Sequence, residues 1–233
     1  MIRAVILPLC RSEFAGGYPL EIIDAIAPGD RSSKGQVMSF VDPVSLQGQH
    51  VSLVPLAHSH HGDLVDSVRD GELWTLWYTS VPTPDRLRAE IDRRLELQRQ
   101  GSMMPFAVME KSTGKAVGMT TFMHVDAVNR RVEIGSTWYR KRVQRSALNT
   151  ECKLLLLSHA FEQLKCIAVE FRTHFFNRQS RAAIERLGAK LDGVLRQHMM
   201  AGNGTLRDTC VYSILDREWP AVKAHLTYRL AQS

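Results

Sequence analysis

Four basic side chains, Arg140, Lys141, Arg142 and Arg145, lie in the loop 140–148 before a helix that begins near Asn149, with Thr150-Glu151 in its first turn. A helix start offers unpaired backbone N–H groups and the positive end of the peptide dipole, so this arrangement suits an anion such as a phosphate. The same residues also fit a solvated basic loop. Upstream, Glu133 lies in Arg131-Val-Glu-Ile-Gly135, where strand alternation puts Val132 and Ile134 on one face and Glu133 and Gly135 on the other. A carboxylate in that position can take a proton from a substrate or pair with an arginine across the sheet. Downstream, Asn177 is placed to cap a helix in which Ser180, Ala183, Ile184 and Leu187 share a face and which Gly188 ends. Ser180 is there either a hydroxyl facing a ligand or a small packing residue. Trp74, Trp77 and Tyr78 form an aromatic cluster that would line a substrate channel or pack between helices.

The surrounding pattern supplies elements to hold these residues. Val51, Leu53 and Leu56 suggest a first strand, and His58 to Leu73 a helix followed by the aromatic turn. Thr83-Pro84 opens a second helix, with Thr83 as cap, Leu87, Ile91 and Leu95 along one face, and Gly101 closing it. Three meandering strands follow at 106–111, 115–123 and 131–139, the first two joined by Ser112-Thr113-Gly114. Residues 149–164 read as a helix with Leu154, Leu157, Phe161 and Leu164 as its stripe, and residues 167–175 as a strand. Two last strands flank Gly202-Asn203-Gly204, and a closing helix turns Trp219, Val222 and Leu226 inward. The order predicts an α/β arrangement.

Composition narrows the class. The chain has 233 residues, 44% hydrophobic and 23% charged, which predicts a folded globular protein rather than a disordered or membrane one. No apolar run is long enough for a spanning helix, and the short apolar start is broken by Pro8. Cys10, Cys152, Cys166 and Cys210 are scattered without a Cys-x-x-Cys pair, which fits a reducing cytoplasm. The His58-Ser59-His60-His61 run reads as a solvated helix entry, and no metal is expected. Residues 1–37 are rich in Gly, Pro and Ser and are expected to be an extension; the domain is expected over 38–233. The net charge of +6 leaves room for an anionic partner. Nucleic acid is not favoured, because the distributed basic and aromatic pattern of such surfaces is missing.

The stretch Gln144 to Glu151 resembles the acetyl-CoA pyrophosphate loop of GNAT N-acetyltransferases, Gln/Arg-x-x-Gly-x-Gly/Ala, in the subgroup similar to ribosomal-protein-alanine N-acetyltransferases. Asn177-Arg-Gln-Ser180, Arg186-Leu187-Gly188-Ala189 and Gly193-Val-Leu-Arg196 resemble that subgroup's Asn-x-x-Ser helix and next strand. The likeness continues through Asn203-Gly204, Asp208, Tyr212-Ser213 and Glu218-Trp219 and covers about residue 50 to the end. Arg145 stands where the family often has Gly, and Ala147 and Asn149 where it has small glycine-like residues, so the backbone approaches a phosphate less freely.

The resemblance implies a single α/β (α+β) domain with a mixed, mostly antiparallel sheet flanked by helices. It implies acetyl-CoA as co-substrate, held by Gln144, Arg145, Ser146, Ala147, Leu148, Asn149, Asn177 and Ser180, with Arg140 or Arg142 also reaching the phosphates. Glu133 would be the base that takes the amine proton, and Ser180 would approach the CoA sulfur; the tyrosine acid of many members is replaced by Ile184. Trp74, Trp77 and Tyr78 would frame the acceptor, a protein N-terminus or a small primary amine. A homodimer is compatible with the resemblance, and a CoA-holding module without turnover is the alternative reading.

Overall fold

The computed structural model describes residues 40–232; the expected extension over 1–37 lies outside them. Among these residues eight strands form one sheet in the order β1-β2-β3-β4-β5-β6-β8-β7. They are β1 (Leu46–Gln47), β2 (Val51–Pro55), β3 (Met103–Glu110), β4 (Lys115–Asp126), β5 (Arg131–Tyr139), β6 (Ala168–His174), β7 (Lys190–Met200) and β8 (Leu206–Leu215). All neighbours are antiparallel except β5 and β6. Among the described residues five α-helices cover the sheet: α1 (His61–Arg69), α2 (Leu87–Arg99), α3 (Ala147–Ser158), α4 (Arg178–Arg186) and α5 (Trp219–Ala231). No helix among the described residues is long and apolar enough to cross a membrane.

Strand alternation divides the core in two. Val132 and Ile134 of β5, and Val169 and Phe171 of β6, join Leu148, Cys152, Leu156 and Leu157 of α3 and Trp219, Val222 and Leu226 of α5 in the larger cluster. On the other face, Ala107, Ala116, Met119 and Trp138 pack against Leu64 and Val68 of α1 and Leu87 and Ile91 of α2. The inward stripe expected for the closing helix is therefore buried as read.

Several local expectations change. Thr83 has extended cap geometry, but its side chain makes no cap bond, and Pro84–Arg86 is a 3-10 turn before α2. The third helix starts earlier than residue 149, at Ala147, because Ser146 supplies the cap by accepting from the Leu148 N–H at 3.3 Å. Glu151 does not serve the helix start: buried, it accepts from the N–H groups of Gln49, His50 and Val51 and ties α3 to the β1–β2 turn. A π turn, His159–Gln163, follows α3. The Asn-Gly hairpin forms as expected, with Gly204 at φ +81°.

Candidate active site

The parallel pairing of β5 and β6 lasts for three residue pairs, Arg131 with Ala168, Val132 with Val169 and Glu133 with Glu170. Beyond them β5 stays with β4 and β6 stays with β8, so the two strands separate. The result is a wedge with Glu133 and Glu170 at its apex. Its arms are the facing edges of Ile134 to Tyr139 and Phe171 to His174, whose backbone groups on that side have no ladder partner among the described residues. The two chain segments leaving the wide end lead into α3 and α4, so both helix N-termini stand there.

A bulge shapes the β5 arm. Pairing with β4 shifts between Met119 and Thr121, and Ser136 takes a left-handed φ of +48°. Arg94 of α2, 2% exposed, locks this bend: its guanidinium donates to the Ser136 carbonyl at 3.1 Å, to Thr121 Oγ1 at 2.8 Å and to Glu90 Oε1 at 2.7 Å. Gly135 leaves space where a Cβ would come within 2.7 Å of both Glu133 Oε1 and Met123 Sδ. A side chain there would press on the carboxylate.

Glu133 is 5% exposed and faces away from the larger core, as alternation requires. Its Oε2 lies 2.8 Å from His124 Nδ1 and 3.4 Å from Arg172 Nε. Burial pushes the Glu133 carboxyl above its ordinary range, while the His124 hydrogen bond and charge and the Arg172 charge pull it down and the Glu170 charge pushes it up. The ion pair that is one reading of Glu133 is formed, and the carboxyl that forms it keeps a raised pKa. Glu170 differs. Burial raises its pKa, but hydrogen bonds from Arg172 at 2.9 Å and Arg131 at 2.5 Å outweigh that and hold it low.

The polar residues Glu170, Arg172 and His174 alternate along β6 on the face of Glu133. His174 is 3% exposed; its Nδ1 accepts from the Phe176 N–H at 3.1 Å, so the proton of the neutral ring is on Nε2, which has no partner. Trp77 stands edge-on to His174 at 5.0 Å, Tyr78 is 6.3 Å away, and Phe176 is 5.9 Å from Trp77. Two of the three expected aromatics thus reach the wedge. Trp74 does not, because it packs on the α1–α2 cluster.

On the opposite face, the loop before α3 has a defined shape. Gln144 Nε2 donates to the Tyr139 carbonyl at 2.9 Å, and Arg145 takes φ +62°, the conformation that explains why a glycine would suit this position. Ser146 Oγ donates to the Val143 carbonyl at 2.7 Å while capping Leu148, so the N–H groups of Ala147 and Asn149 are left at the helix entrance. Arg140 and Arg142 are already engaged, Arg140 with Asp70 at 3.0 Å and Arg142 with Glu110 at 2.5 Å. Of the three arginines expected at the phosphates, Arg145 is the one without such a pairing. A cleft of about 550 Å³ adjoins Ser146 to Leu148, but it is bounded by Gln49, His50 and the β3–β4 turn rather than by β6.

Asn177 caps α4 by accepting from the Ser180 N–H at 3.0 Å. Ile184 and Leu187 belong to the cluster that contains Val132 and Ile134, which sets α4 on the face opposite Glu133. Ser180 and Glu133 are therefore not side by side; only the wedge connects their faces. Sequence reading missed Arg94, His174 and buried Lys153, whose Nζ donates to Thr137 Oγ1 at 3.1 Å and whose pKa burial lowers. An arginine three residues after Ile91, on the apolar face of α2, and the polar period of two along β6 were the available signals.

Residues 50–190, more than half of the chain, match the acetyltransferase (GNAT) domain family. The Bacillus subtilis (strain 168) protein named "Putative ribosomal N-acetyltransferase YdaF" is 34% identical over 110 residues, covering 47% of this chain and 59% of that protein, less than two thirds of its length. The crystal structure of a GCN5-related N-acetyltransferase from Brucella melitensis matches at 30% identity and a TM-score of 0.74, over 82% of this chain and 87% of that one. Mycobacterium smegmatis RimJ in complex with CoA-disulfide shares the fold at 20% identity and a TM-score of 0.67, over 80% and 95% of the two chains. The matched span runs from the first long strand through both arms of the wedge and the capped helix α4, and the chain belongs to the GNAT family of acetyltransferases.

Proposed function

We propose that this protein transfers an acetyl group from acetyl-CoA to a primary amine, with the cofactor in the wedge and the amine arriving on the face of Glu133. The observation that carries this reading is the wedge itself: two strands part beside a buried carboxylate, and two helix N-termini stand at the open end. The residues fit the cofactor's chemistry. The Ala147 and Asn149 N–H groups and Arg145 suit a pyrophosphate, the unpaired edges of β5 and β6 suit an amide-bearing arm, and acetyl-CoA when bound supplies the thioester that the amine attacks. Asn177 and Ser180 adjoin the same open end from α4.

Glu133 takes a proton from the incoming ammonium, which must be neutral to act as a nucleophile. His124 and Arg172 fix the carboxylate, and its raised pKa brings its basicity closer to that of the working solution. Trp77 and Tyr78 shape the approach of the amine. The acceptor is a polypeptide N-terminus or a small amine; the former is supported by the names of relatives such as YdaF. Calorimetric titration with acetyl-CoA, followed by mass detection of acetylated products from a panel of peptides and small amines, tests the reading. Tight binding with acetylation of at least one amine is expected. Binding without acetylation of any would favour the holding module, and no binding would remove the proposal.

A further inference from the structure

The face that carries Glu133 extends past the wedge onto β8. Antiparallel register puts His174 opposite Thr209, and Arg207, two residues before Thr209, points to the same face and donates from Nε to Thr209 Oγ1 at 3.1 Å. That is the one hydrogen bond formed by the half-buried Arg207 side chain among the described residues, and no carboxylate stands in ion-pair contact with it. The neighbouring carboxylate of Asp208 is used elsewhere, accepting from the Gln197 N–H at 2.8 Å. Beside Arg207, the buried Nε2–H of His174 also lacks an acceptor. Leaving the buried His174 donor unsatisfied costs stability, and the guanidinium beside it has no carboxylate partner, so the two together suit a ligand oxygen. Arg172 cannot fill that role, since it is committed to Glu170 and Glu133.

We propose that Arg207 and His174 form a carboxylate subsite next to Glu133, and that the preferred acceptor is an amine with an acidic group close to it, such as a polypeptide N-terminus followed by an acidic residue. This rests on the acetyl-transfer reading above. The ammonium goes to Glu133 and the carboxylate to the guanidinium and the imidazole N–H, two contacts of opposite sign that set the direction in which the acceptor lies. Trp77 and Phe176, both partly exposed, stand against the His174 ring and supply an apolar side. The burial of His174 strengthens its share of the contact, because a charge-assisted hydrogen bond gains where water is excluded.

The test uses two synthetic peptides that differ only in aspartate or asparagine at the second residue, titrated calorimetrically into the CoA-loaded protein. The aspartate peptide is expected to bind about tenfold more tightly. Arg207→Gln should erase the difference without altering the affinity for CoA, and Arg207→Lys should keep part of it. Equal affinities in the wild type, failure of both peptides to bind, or a preference that survives Arg207→Gln would overturn the subsite. A loss of CoA affinity in Arg207→Gln would overturn it as well, by moving Arg207 to the cofactor. The same peptides are then offered with acetyl-CoA: a binding preference with neither peptide acetylated leaves the subsite standing and fails the transfer reading instead.

Discussion

The two faces of β5 and β6 are made by alternate residues of the same strands, yet they are built to opposite ends. One face, with Val132, Ile134, Val169 and Phe171, is sealed by α3 and α5. The other, with Glu133, Glu170, Arg172 and His174, holds buried charge, unpaired donors and an aromatic wall. Burial on the first face lowers the free energy of folding. On the second it raises the pKa of a carboxylate and leaves a buried donor without a partner, which opposes folding and fits the proposed chemistry. Mutations in neighbouring residues should therefore separate stability from activity.

The largest effect is expected at Glu133. Glu133→Gln should lower the acetylation rate about a hundred- to ten-thousand-fold, with CoA affinity retained in calorimetry. The wild-type rate should climb with pH as the raised carboxyl group loses its proton, and the variant should lack that limb. Stability should move the other way. A carboxyl whose pKa is raised in the folded state favours folding while protonated, and this contribution is lost as pH rises from the ordinary carboxylate range through the raised value. At neutral pH the variant should melt no lower than the wild type, and any advantage should vanish in acid. A wild-type rate in Glu133→Gln would hand proton removal to solvent or another group.

Phe171→Ala, on the sealed face, is expected to cost about 3–5 kcal/mol in denaturant unfolding while leaving the neighbouring charged residues in place. A loss below ~1 kcal/mol would mean that the two faces are less distinct than drawn. The smallest effect belongs to Arg145. Arg145→Ala should weaken CoA binding roughly two- to fivefold at low salt, with the difference shrinking as salt rises. Arg145→Gly should lose the same contact but relieve the left-handed backbone, so its melting temperature should exceed that of the alanine variant.

Much of this was legible in the chain because it is local. The Asn177 cap, the Asn203-Gly204 turn and the alternation around Glu133 are set by residues within a few positions of one another. The rest depends on register between distant strands. Nothing near Arg207 in the sequence says that it lies beside His174; the β6–β8 pairing says so. The separation of Trp74 from Trp77 and Tyr78 follows from how the segment after α1 folds back, and the commitment of Arg140 and Arg142 from where Asp70 and Glu110 come to rest. Arg94 was visible only as a charge on an apolar stripe, and its partner, the Ser136 carbonyl, exists because of a backbone bend that the residue types do not announce.

The three-pair ladder between β5 and β6 has a mechanical consequence. Among the described residues it is the one strand ladder between a leaf made of β1 to β5 and a leaf made of β6, β8 and β7. A short ladder at one end of two diverging strands is the geometry of a hinge, with its pin at Val132, Glu133, Val169 and Glu170. Small rotations about that pin change the width of the opening far more at the α3 and α4 entrances than at the carboxylate. The proposed proton acceptor thus sits at the point of least motion, while the entrance has the compliance to admit a long, flexible molecule such as the proposed cofactor.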